Sequence, residues 1–157
     1  MEPLIVVDVQ RAFSPPPDFI ERLRRYSRRF SCRIFTRFEN PDGSLFRKIL
    51  KQRSCAPGSA DTALIIPPEK GDLVITKRGY GLQPGHIRRL RAIGVKRATV
   101  CGLDTDACVL GVMFSLFDAG IECRVKPELC WSSSGLQREG MKIIEQQFPP
   151  PKRSSRR

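Results

Sequence analysis

Three polar residues follow apolar runs in a way that could place them together. Asp8 comes directly after Leu4-Ile5-Val6-Val7, and Lys77 directly after Leu73-Val74-Ile75-Thr76. Cys108 lies in the turn Gly102-Leu103-Asp104-Thr105-Asp106-Ala107-Cys108, just past the run Ala98-Thr99-Val100-Cys101. A carboxylate, an ammonium and a thiol at one rim would make a nucleophilic centre. A thiol with the reference pKa of about 8.5 is mostly protonated, and therefore inert, at neutral pH. In the first turn of a helix it faces unsatisfied N–H groups and the positive end of the helix dipole, which favour the thiolate. Lys77 would favour it further, and Asp8 could accept the thiol proton and later pass it to a leaving amine. Taken singly, each residue also reads as a turn-forming Asp, a solvated Lys or a small core Cys. It is their joint occurrence at three such ends that argues for chemistry.

The elements that must position them alternate between strand and helix. The runs 4–7, 32–35, 73–76, 98–101 and 121–125 read as strands, with 64–66 as a short edge strand stopped by Pro67-Pro68. Helices are expected from Pro17, near Leu45–Leu50, over Gln83–Ile93, over Asp106–Asp118, and after a capping box at Ser134–Gln137. The Asp106–Asp118 helix is apolar on almost every face and is expected to be buried. Alternating βα units predict an α/β fold: a three-layer α/β/α, Rossmann-like arrangement with a five- or six-stranded, mainly parallel sheet. Ligands of such sheets bind beyond the carboxyl ends of the strands, where Asp8, Lys77 and Cys108 would lie.

Length and composition bound the rest. The 157 residues, 40% hydrophobic and 28% charged, suit one folded domain over residues 1–148. Residues 149–157 read as a disordered basic tail, because prolines and cations there offer nothing to bury. No apolar run approaches the roughly 20 residues of a membrane span. The opening MEPLIVVDVQ lacks the basic n-region of a secretory signal, so a cytoplasmic protein is expected. The six cysteines then read as free thiols, and the absence of a C-x-x-C pair argues against a zinc ribbon or a thioredoxin motif. The net charge of +12 admits nucleic-acid binding. No aromatic residue interleaves with the cations of the tail, however, so an arginine-rich surface is the better reading.

The segments Val7-Asp8-Val9-Gln10-Arg11-Ala12-Phe13, Ile75-Thr76-Lys77-Arg78-Gly79-Tyr80 and Cys101-Gly102-Leu103-Asp104-Thr105-Asp106-Ala107-Cys108-Val109 resemble the isochorismatase-like cysteine hydrolases. That superfamily includes nicotinamidases and N-carbamoylsarcosine amidases, and the likeness spans about residues 3–147. It implies an Asp8, Lys77 and Cys108 triad. It also implies a cis peptide before Asp104 and an oxyanion hole made by the N–H groups of Asp104 and Cys108. Gln10 and Phe13 would support and line the substrate pocket, with Phe38, Tyr80 and Trp131 as aromatic walls.

Nicotinamidases also hold a metal with an Asp/His cluster after the second strand. Here that stretch is Thr36-Arg37-Phe38-Glu39-Asn40-Pro41-Asp42, and the lone histidine, His86, lies elsewhere. This resembles a metal-free branch, so no metal and no cofactor are expected. The implied activity is hydrolysis of a small amide-type C–N bond by a Cys thiolate through a thioester, in a homo-oligomer acting on a small molecule. The competing readings are a catalytically silent binding or regulatory relative, and a basic nucleic-acid-binding module. As a minor variant, His86 would serve as the general base.

Overall fold

A computed structural model describes residues 2–149. Leu4–Val7 (β1) is buried at every position, as an unbroken apolar run in the middle of a parallel sheet should be. Arg33–Phe38 (β2) and Arg97–Leu103 (β4) flank it. Leu73–Lys77 (β3) and Glu122–Trp131 (β5) complete a five-stranded sheet in the order β3-β2-β1-β4-β5, with every pairing parallel. Five strands are thus present among the described residues. No helix there is long and apolar enough to cross a membrane.

The connections β1 to β2 and β3 to β4 travel in opposite directions along the sheet. Right-handed crossovers therefore place Pro17–Ser27 (α1) on one face. They place Pro84–Ala92 (α3) and Leu110–Asp118 (α4) on the other. Pro17 and Pro84 sit in the first turns of their helices, where a missing N–H leaves no bond unmade. Leu45–Lys48 (α2) is a short helix in the loop between β2 and β3, and Gln137–Gln147 (α5) follows β5.

Several boundaries differ from the sequence reading. β2 continues to Phe38, β4 to Leu103 and β5 to Trp131, because backbone pairing runs on past the apolar runs that marked them. Leu64 makes only an isolated antiparallel bridge to Gln10, so residues 64–66 are not a strand. The chain around Cys108 is not the start of a regular α-helix but a π-helical turn, Thr105–Val109, in which the Val109 N–H reaches back to the Asp104 carbonyl. α4 is not buried all round: it lies on one face of the sheet, so Phe114 and Phe117 turn outward and meet Phe148 at 5.2 and 5.5 Å. Nor does the capping box at Ser134–Gln137 form. Ser134 Oγ instead accepts the Leu136 N–H and donates to Asp106, and Gln137 bonds Thr105 and the Cys130 carbonyl.

β5 is irregular. Val125 pairs with Val100 and Cys130 with Gly102, so residues 126–129 are surplus chain opposite a single residue of β4. Apart from Pro149, the expected basic tail lies outside the described residues.

Candidate active site

The strand order puts the ends of β3, β2, β1 and β4 side by side at the carboxyl rim of the sheet. β1 and β4 are also where the chain's direction of travel along the sheet reverses, the crevice in which α/β proteins bind ligands. Asp8 leaves β1 with φ 48°, a left-handed conformation that Asp tolerates better than most residues. Lys77 is the last residue of β3, and Cys108 lies in the π-turn after β4. Gly102 lets β4 lie close against β1: at φ 118° a Cβ there would sit 2.2 Å from the Val7 carbonyl oxygen.

The three expected residues do meet. The Lys77 ammonium lies 2.6 Å from Asp8 Oδ2, with both side chains essentially without solvent exposure. The Lys77 ammonium also donates to the Gly79 carbonyl at 2.8 Å. The Cys108 thiol interacts with both Asp8 and Lys77. Burial pushes this thiol well above its ordinary range and Asp8 adds to the effect, while Lys77 opposes it. Lys77 therefore favours the thiolate, and burial outweighs it. Lys77 is held protonated above its usual range, because Asp8 and Cys108 together outweigh its own burial.

Thr36, on β2, was not singled out by sequence reasoning, yet it bonds Asp8 twice. Its hydroxyl donates to Asp8 Oδ1 at 2.6 Å and accepts the Asp8 N–H at 3.2 Å. The turn carrying Cys108 is tied down from β5 and α5. The Leu103–Asp104 peptide is cis. Asp104 accepts the Ser133 hydroxyl at 2.6 Å and the Ser133 N–H at 3.1 Å, and Thr105 donates to Gln137 at 2.6 Å. Gly140 lets α5 approach this turn, since a Cβ there would come within 2.8 Å of the Asp106 nitrogen.

The expected pocket residues divide. Gln10 is fully buried and supports the rim without lining it. It takes the Phe38 N–H at 2.8 Å and donates to the Phe38 and Thr62 carbonyls at 2.9 and 3.0 Å. Phe38 is also buried, with the Lys77 ammonium 5.3 Å from its ring centre. From there an aromatic series leads outward, Phe38 to Phe46 at 4.8 Å and Phe46 to exposed Tyr80 at 4.9 Å. Phe13 is half-buried against the core, and Trp131 is half-buried opposite Leu103 at the end of β5. His86 closes the first turn of α3 by accepting the Gln83 N–H at 3.2 Å. Two surface grooves, of about 760 Å³ beside Phe117 and Phe148 and about 510 Å³ beside Tyr26 and Phe30, touch none of the three residues.

A family model described as the isochorismatase domain matches residues 3–151. A sequence search of curated proteins finds no match. Among solved structures, a pyrazinamidase of Pyrococcus horikoshii in complex with zinc is similar at 23% identity and TM-score 0.84, over 94% of this chain and 96% of that one. A pyrazinamidase/nicotinamidase from Streptococcus mutans is similar at 18% identity and TM-score 0.78, over 93% and 96%. An N-carbamoylsarcosine amidase from Thermoplasma acidophilum is similar at 20% identity and TM-score 0.72, over 94% and 93%.

The donors after β2 do not suit zinc. Asn40 spends its amide on the Gln52 and Ser54 carbonyls and the Ser44 hydroxyl, and Glu39 sits between Arg37 and Arg78. Among the described residues, no three His, Cys, Asp or Glu side chains gather closely enough to hold a metal. The match over nearly the whole chain, with the three signature segments converging on one rim, makes this protein a member of the isochorismatase domain family.

Proposed function

We propose that this protein is a metal-independent cysteine hydrolase that cleaves a small amide-type C–N bond. The observation that carries the reading is a buried Asp8–Lys77 ion pair at the sheet's ligand-binding rim, beside the turn that carries Cys108. The Cys108 proton passes to Asp8 as the sulfur attacks the amide carbonyl carbon. The carbonyl electron pair moves onto oxygen, where the Asp104 and Cys108 N–H groups receive it as an oxyanion hole. Collapse breaks the C–N bond, and the departing nitrogen takes the proton from Asp8. Water then attacks the thioester with Asp8 as base, releasing the acid and restoring the thiol. Lys77 steadies the sulfur while it carries negative charge.

The Phe38, Phe46 and Tyr80 series suits a flat or apolar acyl group beside the sulfur. Self-association belongs to the same reading, since Phe114, Phe117, Leu136 and Ile143 leave an apolar surface. A panel of small primary amides and carbamoyl compounds tests the activity by release of ammonia. Turnover that disappears in Cys108→Ala is the expected result. Turnover unchanged in that variant would overturn Cys108 as the nucleophile, and turnover absent across the panel in a protein that still binds the compounds would favour a silent binding relative.

A further inference from the structure

Asp8 has two carboxylate oxygens, and they are not equivalent. Oδ1 receives the Thr36 hydroxyl at 2.6 Å, whereas Oδ2 faces the Lys77 ammonium as an ion pair at 2.6 Å and accepts no hydrogen bond among the described residues. The direction of the Thr36 bond is fixed by its surroundings. A hydroxyl has one proton, and Thr36 Oγ1 already accepts the Asp8 N–H at 3.2 Å, so its own proton goes to Oδ1. Lys77 donates to the Gly79 carbonyl and balances the charge of Oδ2 from 2.6 Å. Thr36 has no solvent exposure, so it can act only through Asp8.

We infer that Thr36 is a positioning residue: by occupying Oδ1 it makes Oδ2 the oxygen that takes the Cys108 proton. In that step the S–H bond of Cys108 breaks and an O–H bond forms on Oδ2. The Lys77 ammonium then balances the negative sulfur instead of the carboxylate, and the net charge of the three groups is unchanged. This inference rests on the reading of Asp8 as the acceptor of the thiol proton.

The test needs no substrate. Alkylation of Cys108 by iodoacetamide is followed against pH by mass spectrometry in the wild type, Thr36→Val and Thr36→Ser. Every thiol alkylates more slowly toward acid pH, and the wild type is expected to show at Cys108 a limb displaced from those of the other five cysteines. Thr36→Val keeps the shape but loses the hydroxyl, so its limb moves to higher pH by about one unit, the value of one hydrogen bond to a charged group. Thr36→Ser keeps the wild-type limb. A valine profile superimposed on the wild type, or serine and valine profiles displaced alike, overturns the role of the hydroxyl. Should the valine variant fail to fold, Thr36→Ala is read by the same profile. A wild-type Cys108 that titrates like the other cysteines would instead overturn the triad, a separate failure.

Discussion

Two buried ion pairs brace the same sheet at opposite ends, and they are finished differently. At the amino rim Arg33 opens β2 and meets Asp72, just before β3, with both side chains less than a tenth exposed. The contact is a fork: Arg33 Nε reaches Asp72 Oδ1 at 2.9 Å and Nη2 reaches Oδ2 at 2.7 Å. Glu69 accepts from Nη2 as well, and its N–H caps Asp72 Oδ2. At the carboxyl rim Asp8 and Lys77 are buried more completely, yet both turn toward a thiol. A bidentate arginine locks geometry and spends its donors, whereas a lysine is a point charge whose donors can be reassigned. The amino-rim pair is closed, and the carboxyl-rim pair retains capacity for a third group.

This contrast breaks most visibly in kinetics. Lys77→Met and Asp8→Asn should each lower kcat/KM by about a thousand-fold or more, as removal of a member of a catalytic unit does. Arg33→Met should leave kcat/KM near the wild-type value at temperatures where the variant stays folded. Steady-state hydrolysis of an active amide reads both, and a comparable loss in Arg33→Met would erase the distinction. The next effect concerns stability. Arg33→Met leaves Asp72 buried without its counter-charge, at a cost of about 3 kcal/mol. Urea unfolding checks it, and a loss below about 1 kcal/mol would place the pair among ordinary surface bridges.

The smallest effect sharpens the comparison at Asp104, a carboxylate satisfied by hydroxyl and N–H donors without a cation. Burial lifts Asp104 above the ordinary carboxylate range, and the Ser133 bonds pull it back. For an acid raised in the folded state, the folded form holds a proton that the unfolded form has lost. Stability from this group is therefore greatest below the unfolded value and is lost as pH rises through the folded one. Ser133→Ala lifts Asp104 further, so its loss in Tm should be greater at pH 7 than at pH 4. Thermal melts at the two pH values decide it, and equal losses would remove Asp104 from the argument.

Asp8, Lys77 and Cys108 were legible because each follows an apolar run, and a buried strand announces itself by what it buries. Thr36 was not, because the apolar run of β2 ends at Phe35 while the ladder continues through Thr36, Arg37 and Phe38. Backbone pairing leaves no mark in hydrophobic pattern when the side chains are polar or point at a site. The π-turn at Thr105–Val109 was hidden for a related reason. Its residues have helical composition, and the departure is enforced from outside by Ser133, Gln137 and the close approach at Gly140. The Ser134–Gln137 signal had the composition of a capping box, but contacts with Asp106, Thr105 and Cys130 claimed both side chains first.

The surplus residues in β5 have a consequence for the molecule in a crowd. Among the described residues β5 is an edge strand, with β4 on one side and no further strand on the other. An open edge is a template on which a stray strand can add. Within residues 126–129 the ladder breaks register, Pro127 has no N–H to offer, and Lys126 and Glu128 carry opposite charges. A passing strand would find its run of partners interrupted there. The irregularity thus guards against edge-to-edge growth on the side of the sheet that β5 closes.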